Sequence, residues 1–131
     1  MQAHQFATEK YLSLESVRRN GQAVRTLVWF ALAPSGRLYA YATADSFKVK
    51  RIRANSAVRI APCDMRGGVT GAWLAAQATI IPAERPDFAT AMQLLDRKYF
   101  PWKQILGLAN RLFARKPRAM IEMQITEGHS P

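Results

Sequence analysis

Two strand-like runs, Leu12–Arg18 and Ala23–Leu32, lie on either side of Asn20-Gly21, and the second partly alternates apolar and polar positions. Asn-Gly between strand-like runs predicts a β-hairpin, since both residues tolerate the positive φ of a tight turn. Pro34-Ser35-Gly36 reads as the next turn and leads into RLYAYATA. There Leu38, Ala40 and Ala42 share one face of a strand, and Tyr39, Tyr41 and Thr43 the other. The period then changes. In SFKVKRIRAN, Val49 and Ile52 form an apolar stripe at helical spacing, and Ser46 is placed to cap the helix. Val58–Pro62 reads as a short apolar strand, Arg66-Gly67-Gly68 as a turn, and Gly71–Ile81 as a long strand.

Pro86 suits the first turn of a helix running through DFATAMQLLDRKYF, with Phe88, Met92 and Leu95 on its apolar face. A second, basic amphipathic helix is expected near Lys103–Lys116, where packing on the body of the protein is favoured over a membrane surface. The alternating run RAMIEMQIT closes the chain as a last strand. About six strands, mostly sequential, with two to three helices predict a mainly β, α+β fold: an antiparallel barrel with helical additions. Trp29, Phe30, Tyr39 and Tyr41 lie on these strands, where core or interface packing is expected.

With 131 residues, 49% of them hydrophobic, the chain is expected to be a single domain over 1–131. A core of that size would gain from burying more surface against a second copy. No stretch reaches the roughly 20 apolar residues of a membrane span. MQAHQFATEK offers no apolar run for a signal peptide, so a cytoplasmic location is expected. Cys63 is the one cysteine, and its apolar setting in VRIAPC suits a buried small side chain. The only histidines, His4 and His129, lie near the ends, so a zinc site, a serine–histidine triad or a haem with an axial histidine has little to be built from. No metal site is expected.

Nineteen basic residues stand against nine acidic ones, a net charge of +10. That surplus favours an anionic partner without choosing among nucleic acid, membrane surface and phosphorylated small molecule. Carboxylates are few, no interior histidine can serve as a base, and no phosphate-loop or dinucleotide fingerprint is present. Catalytic residues cannot be named from this inventory. An enzyme so furnished would borrow its reactivity from a cofactor.

The informative segment is Tyr41–Asn55, YATADSFKVKRIRAN. Thr43 and Ser46 bring hydroxyls, a helix start brings N–H groups, and Lys48 and Arg51 bring charge one turn apart. Together they form a candidate phosphate cradle; the plain alternative is a solvated basic helix face.

This segment resembles the pyridoxamine 5′-phosphate oxidase-like family of flavin-binding split barrels, in particular its small branch associated with the deazaflavin coenzyme F420. The resemblance runs from about residue 11 to residue 100, through LSLESVRRNGQAVRTLVWF, TADSFKVKRIRANSAVRIAPCD, RGGVTG and DRKYF in order. It implies an antiparallel split β-barrel that binds F420 or FMN in a groove between two identical subunits. It further implies that Arg25, Thr26, Leu27 and Val28 lie along the ring and ribityl chain. Thr43, Ser46, Lys48 and Arg51 would hold the phosphate, and Trp73 would come from the other subunit. Trp102 is a candidate cover for the ligand. The implied activity is two-electron transfer to a small-molecule substrate, with no nucleic acid and no membrane as partners. Two other readings remain: a small basic barrel for single-stranded nucleic acid, and a flavin carrier without turnover.

Overall fold

The computed structural model describes residues 6, 8–99 and 118–126. Six strands form: β1 (Tyr11–Val17), β2 (Ala23–Leu32), β3 (Leu38–Thr43), β4 (Ala57–Cys63), β5 (Leu74–Pro82) and β6 (Arg118–Ile125). Helix α1 (Phe47–Ala54) joins β3 to β4, and α2 (Pro86–Lys98) follows β5. The expected basic helix at Lys103–Lys116 and Trp102 lie outside the described residues.

The strands close into one barrel in the order β1-β2-β3-β6-β5-β4, with every neighbouring pair antiparallel. The mainly β, antiparallel architecture agrees with the pattern of the sequence. Two of its seams join strands far apart in the chain: β1 with β4, through Leu14↔Ile60, and β3 with β6, through Ala40↔Ile121. Those long-range pairings replace the simple run of hairpins that the sequence suggests.

Alternation decides what lies inside. Leu12 and Leu14 of β1, Val28 and Phe30 of β2, and Leu38, Ala40 and Ala42 of β3 all enter one core with Ile60, Ile121 and Met123. Val49 and Ile52 of α1 join it, so that the helix packs against the barrel through its apolar stripe. Helix α2 buries Phe88, Ala91 and Leu95 against the outer residues Ala31, Ile81 and Met120, with Trp29, Tyr39 and Tyr41 partly buried alongside. The expectation that strand aromatics serve packing holds. Cys63 is buried as expected, and burial followed by the charges of Asp64 and Glu9 pushes its thiol up.

Tyr99, just past α2, fixes where the barrel seam opens. Extending the Tyr11↔Trp29 register by one residue would set Lys10 opposite Phe30. The Tyr99 hydroxyl sits between them instead: it accepts from the Phe30 N–H at 3.0 Å and donates toward the carbonyls of Phe30 and Lys10. Burial raises this phenol to about 12, so it stays a neutral hydroxyl able to do both.

One strand begins later than the sequence suggests. Gly71 to Trp73 precede β5, which starts at Leu74. A Cβ on Gly71 would stand 2.5 Å from the Pro62 ring, so this loop crosses too close to β4 for any residue but glycine. Among the described residues no helix is long and apolar enough to cross a membrane.

Candidate functional site

The turn Thr43–Ser46 is closed by the Ser46 N–H donating to the Thr43 carbonyl at 3.1 Å, which brings the end of β3 directly to the start of α1. Ser46 is the N-cap, extended in its backbone, and its hydroxyl accepts from the Val49 N–H at 3.4 Å. The cap consumes one donor of the first turn. Phe47 and Lys48 keep N–H groups that the helix itself cannot use. Thr43 therefore ends β3 and Ser46 caps α1, joined by this turn.

Lys48 and Arg51 follow one turn apart. The Arg51 Nε donates to the hydroxyl of buried Ser16 on β1 at 2.7 Å, which anchors the guanidinium and leaves its terminal nitrogens to other acceptors. Lys48 is half-buried. Burial first, and then the neighbouring Arg51 charge, pulls its ammonium down. Burial and the charge of Arg18 act likewise on Arg51. Among the described residues no carboxylate forms an ion pair with Lys48 or Arg51. Two cations held together and partly desolvated without a counter-charge form an environment that an anion relieves. The residues fit a phosphate.

The β2 stretch divides by face. Thr26 and Val28 point inward, opposite Leu14 and Leu12, while Arg25 and Leu27 point out. Arg25 is already engaged: its Nε meets Glu15 at 3.1 Å, and Arg59 reaches the same carboxylate at 3.5 Å from β4. Glu15 lies directly opposite both arginines in the ladder, and its burial is supported by these two partners. Trp73 covers the trio, with the guanidinium carbons of Arg25 and Arg59 at 4.7 and 5.1 Å from its ring centroid. Trp73 thus meets Arg25 from within the same chain, from the loop before β5 rather than from a strand. The structure brings seven of the nine residues into two groups: Thr43, Ser46, Lys48 and Arg51 at α1, and Arg25 and Leu27 on the outer face of β2 with Trp73 over Arg25. Thr26 and Val28 contribute to that face only through their backbone.

Sequence reasoning missed a cleft of about 590 Å³ between the end of β1 and the outer side of α1. Arg18 and Arg19 meet Phe47, Lys50 and Arg51 there. Lys50 shares this cleft with Arg51. The missed signal was the Arg18-Arg19 pair at the hairpin, which gains meaning only once α1 is seen to pack beside β1.

No protein-family model matches the chain, and no curated protein matches it either. Solved structures do. The heme storage protein HutZ from Vibrio cholerae superposes with a TM-score of 0.73 at 13% identity, over 97% of this chain and 89% of its own. A pyridoxamine 5′-phosphate oxidase-type protein from Listeria innocua gives 0.61 at 13% identity, over 95% and 88%. An F420 reductase gives 0.60 at 21% identity, over 94% and 92%. At these identities the likeness is one of fold. The chain has the split-barrel fold of the pyridoxamine 5′-phosphate oxidase-like proteins, the fold that the resemblance implies.

Proposed function

We propose that this chain binds a flavin-type cofactor, F420 or FMN, and works as an oxidoreductase on a small organic substrate in a groove shared by two subunits. The observation that carries this reading is the Lys48–Arg51 pair at the start of α1, half-buried and without a carboxylate partner among the described residues. Lys48, Arg51, Ser46 and the first-turn N–H groups would hold the phosphate. The outer face of β2, with Leu27 and Arg25 and with Trp73 over the Arg25 guanidinium, would support the ring. When bound, the cofactor supplies two-electron chemistry. The chain's own residues bind it, orient it and set its electrostatic surroundings. The fold shared with an F420 reductase and a pyridoxamine 5′-phosphate oxidase-type protein supports this reading.

The test is spectroscopic. Purified protein titrated with FMN and with F420 should perturb the absorbance of one of them saturably, at one cofactor per chain. Unchanged spectra with both, at concentrations up to about a millimolar, would remove the reading.

A further inference from the structure

The outer face of β1 and its two neighbours carries a cluster that the binding of a phosphate does not use. β1 lies between β2 and β4, so Arg25 and Arg59 flank Glu15 from either side, their backbones about 10 Å apart. The Glu15 side chain is 8% exposed, whereas those of Arg25 and Arg59 are 59% and 50% exposed. A buried carboxylate thus holds two guanidinium groups that still face solvent. Arg25 gives Glu15 its Nε at 3.1 Å, and Arg59 one terminal nitrogen at 3.5 Å. A guanidinium has five N–H donors, so Glu15 leaves most of them unused.

The charges do not balance within the cluster. Two cations against one carboxylate leave a surplus of one, and among the described residues neither arginine pairs with a second carboxylate. That surplus matches a carboxylate and falls short of a phosphate dianion, which sets this cluster apart from Lys48 and Arg51. Trp73 adds shape. Its ring centroid lies 4.7 Å from the Arg25 guanidinium carbon and 5.1 Å from that of Arg59. Contact with an aromatic face restrains a guanidinium without using the N–H groups at its edge, and those edges match a carboxylate fork. Leu27 follows Arg25 on the same face and is partly exposed, so apolar surface adjoins the arginines. A small aliphatic acid would use the arginines alone. A flat conjugated acid would use Leu27 and Trp73 as well.

We propose that Arg25 and Arg59, aimed by Glu15 and Trp73, form a carboxylate clamp, and that the substrate of this chain is a flat organic acid held there by its carboxylate. The clamp stands on these contacts. That its ligand is the substrate rests on the flavin reading above, which puts the cofactor ring on the same face.

The test uses 2-naphthoate and its neutral counterpart 2-naphthamide, titrated calorimetrically into the protein with and without FMN or F420. The proteins are the wild type, Arg25→Gln, Arg59→Gln, Arg59→Lys and, as a charge-matched control on the exposed turn after β4, Arg66→Gln. Glu15 keeps one arginine in each single variant, so all should melt with the parent; if one arginine proves necessary for folding, the other carries the test. The wild type should bind naphthoate at least about tenfold more tightly than naphthamide. Arg25→Gln and Arg59→Gln should lose about five- to fiftyfold for naphthoate and less than about twofold for naphthamide. Arg59→Lys, with the charge but no fork, should still lose at least about threefold, and Arg66→Gln less than about twofold. Equal affinity for acid and amide, no binding of either, a loss shared by Arg66→Gln, or full affinity in Arg59→Lys would overturn the clamp and leave the flavin reading intact. With a cofactor bound, naphthoate should also shift the cofactor's absorbance, and binding without any shift would overturn its assignment as substrate. If neither FMN nor F420 binds, the flavin reading fails and the substrate assignment falls with it, while the same pattern of naphthoate losses would keep the clamp as a carboxylate site.

Discussion

At the scale of single residues, charge placement matters more than charge count. Lys98 illustrates this outside the site. Its ammonium lies 3.4 Å from the centroid of the buried Phe30 ring, and burial pushes it down from 10.5 to about 8, partly offset by Glu9. Below pH 8 both folded and unfolded chains carry the proton, and the folded state bears the whole cost of burying it. Between about pH 8 and 10.5 the folded protein sheds that proton while the unfolded chain retains it, so stability rises with pH across this window. Lys98→Met should therefore be the more stable protein at pH 7, with its advantage shrinking toward pH 10. Urea unfolding of both proteins at pH 7, 8.5 and 10 checks this; a difference that stays constant or grows would show that burial does not penalise the charge. Residue identity alone could not reveal the effect, because Lys98 reads as one more cation at the end of a helix.

At the scale of elements, local signals carried much of the fold. Ala23–Leu32 alternates and forms β2 over that whole range, Ser46 caps α1, and Pro86 opens α2 with its fixed backbone angle. What the sequence concealed depends on contact between distant segments. The start of β5 was misplaced because Gly71 looks like part of an apolar run, whereas its approach to Pro62 is visible only in three dimensions. The β1–β4 and β3–β6 seams likewise leave no local mark. The grouping of Thr43, Ser46, Lys48 and Arg51 around the start of α1 was legible because these residues lie within one turn and one helix. The cleft was not, since residues 17–19 meet α1 only through the closed barrel. Tyr99 is a further long-range link, and its removal is measurable. Tyr99→Phe leaves the Phe30 N–H and its carbonyl without their hydroxyl partner inside the protein and should cost about 1–3 kcal/mol. A loss below about 0.5 kcal/mol in chemical denaturation would mean that water replaces the hydroxyl without penalty.

At the scale of the whole molecule, a barrel closed on itself presents an outer face of β2, with Arg25 and Trp73, and a basic end at α1. The proposed cofactor groove uses both, and a second copy would complete it. Light scattering at micromolar concentration should give twice the mass of one chain. A monomer that still binds flavin tightly would place the whole site within a single barrel. The central claim is narrower: Lys48 and Arg51 form one specific anion site and are more than part of a basic surface. Arg53, exposed on the same helix and absent from both the cradle and the cleft, is the matched control. The direct measurement is calorimetric titration of FMN and F420 into the wild type, Lys48→Ala, Arg51→Ala and Arg53→Ala. Lys48→Ala and Arg51→Ala should each lose about ten- to hundredfold, the loss of one charge-assisted hydrogen bond, and Arg53→Ala less than about threefold. Since each variant removes one positive charge, equal losses in all three would contradict a specific site and leave only general attraction to a basic helix.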